Sequence, residues 1–203
     1  MGCIKVNSRD LEILSTLNKF KCLGRDDLIN LFFSTKKSAV SNCNQVLRRL
    51  RDRGLIKQSK RQNPAIYFAK ENPIKETSQK IPHYLEIFNV YKTLKNYIGT
   101  FDVEPKLGPK KTVEPDAFMI MKRTPFFVEV QLTKYSKAVM DEKIKRYEEY
   151  YHSNAWASLP WQPQPARFPY IVIFSETPYE IDTFLEIYQF KNANELLLSY
   201  AMN

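Results

Sequence analysis

Residues 34–68 read STKKSAVSNCNQVLRRLRDRGLIKQSKRQNPAIYF, and the reading of the whole chain turns on this stretch. Ser34 or Thr35 is placed to cap a helix, because a short hydroxyl side chain accepts from the free amides of a first turn. Val40, Cys43, Leu47 and Leu50 follow at helical spacing, which stacks them on one face. The opposite face carries Lys37, Ser38, Ser41, Asn42, Gln45, Arg48 and Arg49. Gly54 stops the helix, since glycine takes the left-handed backbone without steric cost. Leu55 and Ile56 open a strand, and Lys60-Arg61-Gln62-Asn63-Pro64 turns it back into Ala65 to Phe68. A helix with a polar, cationic outer face beside a basic hairpin suits a DNA groove and its flanking phosphates. The pattern is therefore read as a recognition helix, Lys36 to Arg53, with a wing. Lys37, Ser41, Asn42, Gln45 and Arg48 face base edges in this reading, Lys36, Lys60 and Arg61 meet phosphates, and Arg49 shares the cationic face.

The segment before it completes a plan. Asn7 or Ser8 caps a first helix whose Leu11, Ile13, Leu14 and Leu17 form an apolar stripe ending near Phe20. Gly24 breaks it, and Arg25 to Phe33 makes a short second helix with Leu28, Leu31 and Phe32 inward. Three helices with tight connections and then a hairpin is the winged helix-turn-helix plan. The same pattern would also serve a three-helix module that docks on protein. Charge favours nucleic acid: residues 1–75 hold 16 Lys+Arg against 6 Asp+Glu, while residues 76–203 hold 15 against 16. The excess of +9 over 203 residues thus lies in the first third.

Composition narrows the classes further. With 43% hydrophobic and 13% aromatic residues the chain can bury a real core and is not of disordered type. Cys3, Cys22 and Cys43 are too few and scattered for a disulfide framework, and with only His83 and His152 beside them a zinc site is not expected. Met-Gly-Cys at the start is not followed by Ser or Thr at position 6, which is Val6, so the myristoylation pattern fails. No apolar run has the length of a signal core or membrane helix. The expectation is a soluble, cytoplasmic protein with no membrane partner.

Glu71 to Ile81 is a polar stretch that carries Pro73 and is followed by Pro82, so the linker is expected over residues 73–82, between a domain at 1–72 and another at 83–203. The second domain opens with a helix from His83 bearing Leu85, Phe88, Tyr91 and Leu94. Strands are expected over Phe101 to Leu107, Ala117 to Met121 and Phe126 to Leu132, as a meander. A charged amphipathic helix follows from Tyr135 to His152. Asn154 to Pro169 is a proline-rich loop in which Trp156 and Trp161 act as anchors or, less expectedly, as base-stacking platforms. Tyr170 to Phe174 reads as a strand covered on both faces. Helices are expected over Tyr179 to Phe190 and Ala193 to Tyr200. The fold class is therefore α/β, or α+β over the whole chain.

Four carboxylates fall at telling places: Glu86 on the opening helix, Glu104 on the first strand, Asp116 before the second and Glu129 inside the third. A carboxylate within Phe126-Phe-Val-Glu-Val130 is costly to bury unless something neutralises it, and a divalent cation would do so. The bland alternative puts Glu129 on a solvated face, paired with Lys122 or Lys134. Lys143, Lys145 and Arg146 read most simply as a solvated helix face.

Pro115-Asp116 followed by Glu129-Val130-Gln131 resembles the PD-(D/E)xK nuclease motif of the restriction-endonuclease-like fold. The resemblance implies Asp116 and Glu129 as Mg²⁺ ligands and catalytic residues, with Glu86 as a third, helix-borne ligand. The motif's last position is normally Lys; here it is Gln131, which carries no charge, and Lys134 is the candidate replacement. Winged helix followed by nuclease-like core, together with His83-Tyr-Leu-Glu86, is similar to the replication-relaxation family of Gram-positive plasmids and mobile elements. That likeness implies binding to double-stranded DNA in plasmid replication, relaxation or transcription regulation; winged-helix proteins often work as homodimers, because paired half-sites multiply modest affinities. The likeness also implies a degenerate nuclease-like domain or, alternatively, a Mg²⁺-dependent endonuclease or nickase aimed by its winged helix.

Overall fold

The structure, a computed structural model, describes residues 6–59 and 64–201. The fold is mixed α/β, with six α-helices and two sheets among the described residues. Backbone contacts divide the chain into two compact units, Met1–Phe88 and Asn89–Asn203. The division falls within a helix, α4 (Ile81–Leu94), whereas residues 73–82, the expected linker, form the turns and the start of that helix.

In the first unit, α1 (Ser8–Phe20) begins with a reciprocal cap. Asp10 N–H donates to Asn7 Oδ1 at 2.9 Å and Asn7 N–H to Asp10 Oδ2 at 3.3 Å. Ile13, Leu17 and Phe20 form its buried stripe, while Leu11, expected inside, is 58% exposed. A two-residue strand β1 (Leu23–Gly24) leads into α2 (Arg25–Phe32), which buries Leu28.

The third helix, α3, runs Ala39–Asp52, so it starts later than its sequence indicates. Residues 34–38 are turns, and neither Ser34 nor Thr35 caps it; Ser38 is the N-cap residue, without a side-chain cap. Cys43, Leu47 and Leu50 are buried, but Val40 in the first turn is 52% exposed. The end is a Schellman closure: Leu55 N–H donates to Leu50 C=O at 2.9 Å and Gly54 N–H to Arg51 C=O at 2.8 Å, with Gly54 at φ 66°. Strands β2 (Ile56–Gln58) and β3 (Ile66–Ala69) then pair antiparallel, and β3 also takes β1, giving the order β1-β3-β2. Burial pushes the thiols of Cys22 and Cys43 up to about 12 and about 11, which leaves them protonated and unreactive.

The second unit is built on a five-stranded sheet of order β4-β5-β6-β7-β8. Strands β4 (Ile98–Val103), β5 (Ala117–Met121) and β6 (Thr124–Gln131) form an antiparallel meander as expected, although the first strand runs earlier than Phe101 to Leu107 and ends before Glu104. Helix α5 (Lys137–His152) crosses over to β7 (Tyr170–Ser175), which lies parallel to β6. Its Met140, Ile144, Tyr147 and Tyr150 pack on Phe127, Ile171 and Ile173.

One expected helix is absent. Tyr179 to Phe190 is not a helix: residues 179–186 are irregular, and β8 (Ile187–Phe190) extends the sheet parallel to β7. The Gln189 side chain satisfies the backbone of Tyr179, accepting from its N–H at 2.7 Å and donating to its C=O at 2.9 Å. Helix α6 (Ala193–Ala201) closes the described chain.

Candidate functional site

Two constellations stand out, one in each unit. In the first, the exposed side of α3 presents Val40, Ser41, Asn44, Gln45 and Arg48 around a shallow hollow of about 440 Å³. Residues 41, 44, 45 and 48 recur at the three-and-four spacing of one helical face. Asn44 belongs to this stripe although it was missed; its spacing from Ser41 and Arg48 is the signal that locates it. Asn42 is only half exposed. Lys36 and Lys37 are exposed on the turns before the helix, and Lys60 and Arg61 lie outside the described residues.

Arg49 is occupied otherwise. Its guanidinium is ion-paired with the buried Asp10 of α1, and therefore ties α3 to α1.

The second constellation lies where β5, β6 and α5 meet. Asp116, just before β5, is fixed across the hairpin by Val130 N–H, which donates to its Oδ2 at 2.8 Å. Glu129 lies in β6 between Val128 and Val130, on the face of the strand covered by α5. It is 1% exposed. Its two oxygens are held by side chains of α5: Tyr147 OH donates to Oε1 at 2.6 Å, and Lys143 Nζ is ion-paired with Oε2. Gln131, two positions on, is buried on the same side of the strand.

The neutralising partner of Glu129 is thus Lys143, not a lysine on a solvated face and not Lys134. Lys134 is exposed, with Nζ 5.9 Å from the centre of the Tyr179 ring. Lys143 was legible only indirectly. It falls on the buried stripe of α5, between Met140 and Tyr147, where a lysine needs a partner.

The electrostatics follow from this burial. Desolvation pushes the Glu129 carboxyl up to about 7; the Lys143 ammonium opposes the rise and the Asp116 charge adds to it. Burial works against a charged Lys143, but the Glu129 and Asp116 carboxylates outweigh it and hold the amine above the ordinary lysine range. Burial and the Glu129 charge keep the Tyr147 hydroxyl protonated, well above the usual tyrosine range.

Carboxylate oxygens are the donors that Mg²⁺ prefers. Asp116 and Glu129 fit such an ion in kind, although each already accepts at least one hydrogen bond. Glu86 stands on α4 in the first unit, and Glu104 takes φ 48° after β4, its N–H donating to Asp116 C=O at 2.9 Å. Among the described residues no group of three or more His, Cys, Asp or Glu is gathered for a metal, and no helix is long and apolar enough to cross a membrane.

Comparison with family models, with curated proteins and with solved structures finds no match.

Proposed function

We propose that this is a double-stranded DNA-binding protein in which α3 reads the major groove and the β2–β3 hairpin acts as a wing. The observation that carries the reading is the exposed stripe of Ser41, Asn44, Gln45 and Arg48, on a helix whose other face is fixed by Cys43, Leu47 and Leu50. Hydroxyl, carboxamide and guanidinium groups on one face supply the donors and acceptors that distinguish base edges. The succession helix, strand, helix, helix, hairpin supports this reading, since it is the order a winged helix-turn-helix calls for. The resemblance of Pro115-Asp116, Glu129-Val130-Gln131 and His83-Tyr-Leu-Glu86 to replication-relaxation proteins is what points this reading to the replication, relaxation or transcription of a plasmid or mobile element, and a homodimer on paired half-sites is the form winged-helix proteins often take.

Selection from a random duplex pool, followed by fluorescence anisotropy with the selected sequence, tests this. Arg48→Ala is expected to cost on the order of 1–3 kcal/mol and blur the preference, whereas Lys60→Ala lowers the salt slope by about one. Binding by both variants that matches the unaltered protein would remove the groove assignment.

A second reading, a Mg²⁺-dependent endonuclease or nickase, is favoured by one observation: Lys143 brings to the carboxylate pair the positive charge that Gln131 lacks. A divalent cation held by Asp116 and Glu129 would polarise a phosphodiester and activate water. The chain's own part is to hold Asp116 through the Val130 amide, to orient Glu129 through Tyr147, and to counter the Glu129 charge through the Lys143 ammonium. Supercoiled plasmid incubated with Mg²⁺ or Mn²⁺ is nicked in this reading and left intact by Asp116→Ala. No nicking, and no metal-induced rise in melting temperature, counts against it.

A further inference from the structure

At the opposite end of β6 and β7 from Glu129, some four residues and about 13 Å along the strand, the second unit carries a groove that neither reading uses. Its volume is about 780 Å³, and its walls include Arg123, Tyr151, Trp156, Arg167, Phe168 and Phe184. The rings are arranged rather than merely near one another. Tyr151 and Trp156 lie 5.8 Å apart at 20°, close to parallel, and Phe168 meets them edge-on at 5.2 and 5.4 Å. Phe184 stands 5.2 Å from Tyr151 and is 57% exposed, a large apolar ring left in water.

Two cations flank these rings. Arg123 sits on the tight turn between β5 and β6, where both Lys122 and Arg123 have positive φ, 46° and 70°. Such turns ordinarily take Asn and Gly, so two long cationic residues are held here in a backbone they do not favour. Arg167 lies on the proline-rich loop before β7. Both guanidinium groups are exposed, and among the described residues neither is ion-paired.

We propose that this groove binds unpaired nucleotides of a single strand. Flat aromatic faces accept bases of any sequence by stacking, and guanidinium groups beside them meet the phosphates that join those bases. A duplex hides its base faces in its own stack and offers the rings nothing comparable. A purely apolar peptide would leave the two guanidinium groups without a counter-charge. Glu186, also on the wall, supplies an acceptor for a base's exocyclic amine. The proposal stands on residues of the second unit and does not require α3 to read a duplex.

The chain contains only two tryptophans, Trp156 and Trp161, so fluorescence reports the groove directly. In a full-length Trp161→Phe protein the emission comes from Trp156 alone. Titration with a thymidine 12-mer is expected to quench it at saturation, while an abasic 12-mer of the same charge does not. Phe184→Ala and Arg123→Ala, both at exposed side chains, are each expected to weaken that binding about tenfold. The quench is expected to persist in Arg48→Ala, which separates this site from the proposed recognition helix. Anisotropy of a labelled 12-mer on the unaltered protein provides the same comparison if Trp161→Phe lowers stability. No quench by the thymidine strand, an equal quench by the abasic strand, or quenching untouched by Phe184→Ala and Arg123→Ala would overturn the proposal.

Discussion

Glu129 is the residue whose environment makes the sharpest demands. Its carboxyl, ordinarily near 4.5, is held near 7 in the fold, so the folded protein binds that proton more tightly than the unfolded chain does. This contribution to stability is full below about pH 4.5 and is lost as pH rises through 7. Lys143 is raised as well, so its contribution persists across that window and is lost only above the ordinary lysine value of 10.5. Lys143→Met removes the partner of an ionised Glu129 but leaves a protonated one content. The variant is therefore expected to lose about 3 kcal/mol at pH 8 and only about 1 kcal/mol at pH 5, measured by urea denaturation with a chelator present. Equal losses at the two pH values would show that Lys143 is not the charge partner. A second residue points the other way. The Tyr150 hydroxyl is buried without a hydrogen-bond partner among the described residues, and Tyr150→Phe is expected to raise stability by about 1 kcal/mol, because a stranded polar group is removed at constant ring volume. A lower melting temperature for that variant would reveal a bond the hydroxyl makes.

Among the elements, α3 was the most legible and still held a surprise. Cys43, Leu47 and Leu50 are buried as their period requires, and Gly54 ends the helix with the backbone that only glycine takes easily. Val40 fits the same period, yet it sits in the first turn, beyond the core that the later residues cover, and is left in water. If α3 reads DNA, an exposed valine beside Ser41 and Asn44 is placed to meet a thymine methyl. Replacing that thymine with uracil should then weaken binding about fourfold, the worth of about 0.8 kcal/mol for one buried methyl. The same replacement should do nothing to Val40→Ala. A uracil effect of equal size in both proteins would separate Val40 from the base. Other elements were misread for physical reasons. Ile181, Phe184, Leu185 and Tyr188 have helical spacing, but residues 187–190 pair with β7 as an edge strand and the Gln189 side chain satisfies Tyr179, contacts between distant residues that no local period encodes. Lys143 likewise met Glu129 only through the packing of a helix on a sheet, and Arg49 met Asp10 only through the packing of two helices.

Over the whole molecule, the composition shift at residues 73–82 marks where the polarity of the chain changes, not where the first unit ends. Phe88 is fully buried and meets the Phe20 ring edge-on at 5.0 Å, and Ile81 C=O faces Cys22 Sγ at 4.0 Å. A fragment 1–72 is therefore expected to melt well below a fragment 1–94, because it uncovers Phe20 and Cys22; uncovering a buried aromatic costs about 3 kcal/mol. Equal melting temperatures would show that α4 adds nothing to that core. The consequence reaches back to synthesis. As the chain leaves the ribosome, α3 and its hairpin emerge before α4, so the contacts of Ile81 and Phe88 with Cys22 and Phe20 form only once residue 88 is clear. The nascent protein thus carries its cationic helix and hairpin through a further 19 residues of elongation, from Ala69 to Phe88, before the core of the first unit has closed.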